Sequence, residues 1–169
     1  MEIKSVVLGG DKLTSLVVLV PVDYLGRDHA KEVPIRIGHI EAAAISVAAR
    51  PRRGSRPMTH DLLASTIAAL GAKLDSVDIC NVEGTTFVAR LELSKADGTK
   101  ATVDARPSDA LALAVRAGVP IFAEQEVVDT AAMPDFDTVA RKERESEMKS
   151  FHEFVEGLSP EDFNSPSGK

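Results

Sequence analysis

Two carboxylates and one guanidinium fall within six residues at Asp104-Ala105-Arg106-Pro107-Ser108-Asp109. Two further acids, Glu41 and Asp61, stand near the starts of other apparent helices, and His60 lies beside Asp61. Carboxylates hold hard cations together with water and substrate oxygens, imidazole moves protons, and guanidinium neutralises phosphate. Hydrolysis of a phosphodiester needs water activated and oxyanion charge neutralised, and these residue types suit it. The same residues admit a plainer reading, in which an arginine–carboxylate pair fixes the corner of a capped helix.

The elements around them can be read from residue type. Pro107 cannot continue a strand ladder and pushes Arg106 towards an extended conformation. Ser108 is a good N-cap, and Asp109 then falls in the first helical turn, where negative charge is favoured. The residues that follow are Ala-rich and apolar nearly all round, which predicts a buried helix. Gly118 stands where such a helix would end in a left-handed residue. Upstream, residues 76–82, 86–94 and 99–104 read as three strands joined by Glu83-Gly84-Thr85 and Ala96-Asp97-Gly98 turns.

Earlier in the chain, 2–9 and 14–22 predict a hairpin about Gly9-Gly10-Asp11, and 33–38 a short strand ending in glycine. A mostly buried helix is expected from Glu41. A second is expected from Thr59 as N-cap, with Leu62, Leu63, Ile67 and Leu70 as its apolar stripe and His60 in its first turn. Arg50, Arg52, Arg53 and Arg56 lie in a Pro- and Gly-containing run that reads as a solvated loop or as a basic loop for phosphates. Residues 119–123 predict a last strand, 124–137 drift without a clear element, and 138–158 predict a charged helix before a polar tail.

At 169 residues, with 44% hydrophobic and 27% charged content, the sequence suits one soluble domain with a short appendage. No apolar run is long enough for a membrane span, and no signal peptide is visible, so a cytoplasmic location is the default. The single cysteine, Cys80, excludes an internal disulfide and a Cys-based zinc cluster within one chain. The net charge of −6 is uneven: residues 1–123 carry 15 basic and 14 acidic residues, and 124–169 carry 5 and 12. The acidic balance belongs to the tail, which leaves room for a local basic patch in the body. No nucleotide-binding glycine loop, nucleophile elbow or His-x-x-x-His pair is present.

The run Val103-Asp104-Ala105-Arg106-Pro107-Ser108-Asp109-Ala110 with Arg116-Ala117 follows Pro34-Ile35-Arg36-Ile37-Gly38 with Glu41-Ala42, Arg56-Pro57-Met58-Thr59-His60-Asp61-Leu62 and Phe87-Val88-Ala89-Arg90-Leu91. In that order the segments resemble the bifunctional nuclease domain family over roughly residues 1–130. The remaining 131–169 form an acidic extension similar to that of actinobacterial members. The resemblance implies an α+β domain and nuclease activity on RNA and DNA.

Roles assigned to the motif positions follow from chemistry. Glu41, Asp104 and Asp109 would hold a divalent cation, Mg²⁺ or Mn²⁺. His60 would act as general acid or base, oriented by Asp61, and Arg106 would face the scissile phosphate. Arg52, Arg53 and Arg56 would bind the nucleic-acid backbone. The expected fold is α+β, a mixed or antiparallel sheet with short buried helices and a charged C-terminal helix, in a chain able to form a homodimer. The expected function is a metal-assisted nuclease of low sequence specificity. The alternative is a non-enzymatic ligand-binding or protein-interaction module in which the acid–arginine cluster is structural.

Overall fold

The computed structural model describes residues 1–8, 14–22, 31–48, 56–132 and Met148. The chain divides into two compact units, Met1–Met133 and Pro134–Lys169, and the first carries every element considered below. The Gly9-Gly10-Asp11 turn, Arg50, Arg52 and Arg53, the helix expected over 138–158 and the polar tail lie outside the described residues.

Apolar and β-branched runs form two sheets. Strands β1 (Glu2–Leu8), β2 (Thr14–Val20) and β3 (Val33–Gly38) make an antiparallel sheet in the order β1-β2-β3. Strands β4 (Ala72–Glu83), β5 (Thr86–Lys95), β6 (Lys100–Ala105) and β7 (Ile121–Ala123) make a mixed sheet in the order β6-β5-β4-β7. The β4-β5-β6 meander turns at Gly84 and Gly98, both at positive φ. β7 then adds to β4 in parallel, with Val77 opposite Ile121. A parallel neighbour requires a crossover, and the helix between β6 and β7 supplies it.

The helices are α1 (His39–Ala48), α2 (Thr59–Ala69), α3 (Pro107–Ala117) and α4 (Gln125–Ala131). The architecture is therefore α+β, with two sheets where one was expected. In α3, Ser108 and Ala110 to Ala114 are all buried, because small side chains let it lie close to α1, α2, β4 and β5 at once. Val17, Leu19, Val33, Ile35 and Ile37 from the first sheet join Leu74, Val77, Ile79, Ala89, Leu91 and Leu93 from the second in one core. Burying each such Val, Leu or Ile side chain contributes about 1.5–3 kcal/mol.

Three local expectations are corrected. Ser108 does not cap α3: Arg106 is the N-cap at φ −69° and ψ 142°, and Pro107 takes the first helical position, where its missing N–H costs nothing. Likewise Met58, not Thr59, is the N-cap of α2. The apolar stripe of α2 does not enter the core as a whole, since Leu62, Leu63 and Leu70 are exposed and Ile67 packs against it. Helix α4, unread in the sequence, buries Val127 and Val128.

Candidate functional site

Three helix starts meet at one corner. Glu41 belongs to the first turn of α1, His60 and Asp61 to that of α2, and Arg106 and Asp109 to the cap and first turn of α3. Asp109 is the hub. Its Oδ2 accepts from Arg106 Nε at 2.7 Å, and its Oδ1 lies 3.1 Å from His60 Nε2. Arg106 Nη1 stands 3.5 Å from Glu41 Oε1, so the guanidinium bridges two carboxylates.

The electrostatics fix the proton on the imidazole. Burial alone would raise the Asp109 carboxyl, but the hydrogen bonds and charges of Arg106 and His60 together outweigh it and hold the group below the ordinary carboxylate range. An ionised carboxylate only accepts, so His60 donates through Nε2–H. The other ring nitrogen, Nδ1, has no hydrogen-bond partner among the described residues, and the side chain is 14% exposed. In the neutral ring Nδ1 is the acceptor, which suits a general base. Hydrogen bonding to Asp109, then its charge and that of Glu41, keep Arg106 firmly protonated, while its side chain stays 67% exposed. Its Nη2 is uncommitted among the described residues.

Glu41 is held over β3. A Cβ built on Gly38 would lie 2.2 Å from Glu41 Oε2, so a residue with no side chain there lets the carboxylate fold back across the strand end. The glycine read from sequence as a strand terminator thus has a second role that only the tertiary contact reveals.

Asp61 does not orient His60. Its Oδ2 accepts the Met58 N–H at 2.9 Å, closing the first turn of α2, and its Oδ1 accepts from Arg116 Nε at 2.6 Å. The Met58 hydrogen bond first, then Arg116, lower its pKa. Arg116 is a residue whose part the sequence reading missed. Its side chain is 7% exposed, and Nη1 donates to Ala44 O of α1 and Ala112 O of α3. One buried guanidinium thereby ties all three helices that form the corner. A single cation late in an Ala- and Leu-rich helix was the available signal, since a buried charge must find partners.

Asp104 is not part of this corner. Ala101 and Ala105 of β6 pack on the core, so Thr102 and Asp104 project from the opposite face of the sheet. There Asp104 lies cross-strand from Arg90, in register. The cation site expected from Glu41, Asp104 and Asp109 is therefore not assembled. Among the described residues no group of three His, Cys, Asp or Glu is placed to hold a metal ion. The residues present also fit a cation poorly, because each Asp109 oxygen already faces a donor and Arg106 puts positive charge beside it. Arg56 is exposed two residues before the α2 cap, and Arg52 and Arg53 fall outside the described residues. No helix among the described residues is long and apolar enough to cross a membrane.

Fold and site together define an α+β domain in which one carboxylate at a three-helix corner is shared by an imidazole and an exposed guanidinium. The Bifunctional nuclease domain profile matches residues 25–135. Two uncharacterized proteins of Mycobacterium tuberculosis, one from each of two strains, are 41% identical over 135 residues, covering 78% of this chain and 80% of theirs. The chain belongs to the bifunctional nuclease domain family, which supports a nuclease-like function in general terms and an association with nucleic acid.

Proposed function

We propose that the chain cleaves phosphodiester bonds of nucleic acid at the His60–Asp109–Arg106 corner. The observation that carries this reading is the sharing of one carboxylate. Asp109 orients an imidazole with one oxygen and a guanidinium with the other, at 3.1 Å and 2.7 Å. His60 Nδ1 takes a proton from the attacking hydroxyl, and Asp109 acts as the positioning residue that stabilises the charged ring. Arg106 meets the non-bridging phosphate oxygens as charge develops there. Arg56 sits close enough in sequence to the α2 start to contact the backbone beyond the cut. These groups address phosphate and sugar, which every nucleotide shares, so little sequence preference is expected.

A structural ion-pair network describes Asp61 and buried Arg116, while Arg106, 67% exposed at the same corner, keeps part of its guanidinium open to a ligand. The test is cleavage of labelled RNA and DNA oligonucleotides by wild type, His60→Gln and Arg106→Lys, each shown folded by circular dichroism. Loss of roughly 100-fold or more in His60→Gln is expected for a general base. Cleavage at the wild-type rate by both folded variants would overturn the assignment.

A further inference from the structure

We infer that this corner cuts RNA without a divalent cation, using the ribose 2′-hydroxyl as nucleophile, and leaves DNA uncut under the same conditions. The inference rests on the nuclease reading above and adds the nucleophile and the substrate class. It begins from the donor set. Hard cations need several free oxygens, and Mg²⁺ commonly takes one or two carboxylates. Here each Asp109 oxygen already accepts one hydrogen bond, from Arg106 and from His60, Glu41 folds over Gly38 towards Arg106, and Asp104 is on the far face of the sheet. What the corner does offer is a base, Nδ1 of His60, and a cation that cannot lose its proton, Arg106.

A base and a guanidinium serve the two polymers unequally. Attack on DNA requires a water to be captured, oriented and made nucleophilic, the task that metal ions perform by lowering the pKa of bound water. In RNA the nucleophile is already attached beside the phosphorus, and an oriented intramolecular group gains an effective molarity on the order of 10⁵–10⁸ M. Removing its proton is then sufficient. In the step, Nδ1 of His60 takes the 2′-hydroxyl proton, the O2′–P bond forms and the P–O5′ bond breaks. The departing O5′ takes a proton from water, the hydroxide so formed takes back the proton held at His60 Nδ1, and Arg106 offers Nη2 to a non-bridging oxygen. The products are a 2′,3′-cyclic phosphate end and a 5′-hydroxyl end.

The experiment uses the full chain in excess EDTA, with end-labelled RNA, DNA of the same sequence, and RNA carrying single 2′-O-methyl positions. The expected result is RNA cleavage to cyclic-phosphate ends that skips each methylated position, intact DNA, and roughly 100-fold less RNA product from His60→Gln purified in parallel. RNA cleavage that stops in EDTA and returns with Mg²⁺, or DNA cut in EDTA as fast as RNA, would overturn the inference and leave the nuclease reading standing. Absence of cleavage of either polymer, with or without Mg²⁺, would overturn the nuclease reading itself.

Discussion

Arg116 Nε donates to Asp61 Oδ1 at 2.6 Å across 55 residues of sequence, and this pair sets where His60 stands. Asp61 is the chain neighbour of His60 in the first turn of α2, so anchoring one to α3 carries the other to Asp109. Arg116→Met is expected to cost about 2–3 kcal/mol by losing a buried polar network, and Arg116→Lys less. Denaturant titration measures that cost. If Arg116 positions the site, Arg116→Lys remains folded yet loses turnover more than substrate affinity; a purely structural residue would leave both unchanged in the folded variant.

The Asp61 end of the pair gives a pH dependence. Its pKa is lowered by the Met58 N–H and by Arg116, so the contribution is full above the unfolded carboxylate range and is lost as pH falls through the lower folded value. Asp61→Asn is therefore expected to destabilise at neutral pH and to converge on wild type in acid. Parallel unfolding curves across that range check it.

Asp78 shows the reverse sign. Burial first, then the neighbouring Glu92 and Glu124, raise its pKa on the open face of the four-stranded sheet. Raising an acid's pKa means the folded state disfavours its charge, so the penalty grows as pH rises through the carboxylate range and stays in full above it. Asp78→Asn is expected to stabilise the protein at neutral pH, keep the acceptor that Ser76 Oγ reaches, and show no advantage at low pH. Equal stability of the two proteins at neutral pH would contradict the assigned cause.

Gly38→Ala is a selective probe of the corner. Its new methyl would meet Glu41 Oε2, the end of a flexible side chain that can swing away, so the effect on stability is expected to stay below about 1 kcal/mol. Displacing that carboxylate frees Arg106 from one of its two anchors. The expected outcome is weaker substrate binding in a protein that melts as wild type does. A large drop in melting temperature with unchanged binding would show that Glu41 has no part in holding Arg106.

Most strands and three helices were legible from residue type, because alternation, Gly turns and the Arg106-Pro107 junction are local signals. The second sheet, helix α4 and the exposure of Leu62, Leu63 and Leu70 were not, since each depends on which partner covers a face. The site was half legible. Glu41, His60, Arg106 and Asp109 were singled out and do converge, but the partner of His60 lies 49 residues away in sequence and not beside it. Asp104 was misplaced by proximity in sequence. Two residues that seem adjacent at a strand end face opposite ways when the strand alternates, and Ala105 taking the core face sends Asp104 to the other.

If His60 and Asp109 act as one unit in cleavage, a double-mutant cycle on RNA cleavage reveals it. His60→Gln, Asp109→Asn and the double variant would be compared with wild type at saturating substrate, each verified as folded. Groups acting as a unit lose less together than the product of their single losses, so the double variant is expected to fall below His60→Gln only by the part of the Asp109→Asn loss that comes through Arg106. Losses that multiply, or a His60→Gln protein as active as wild type, would contradict it.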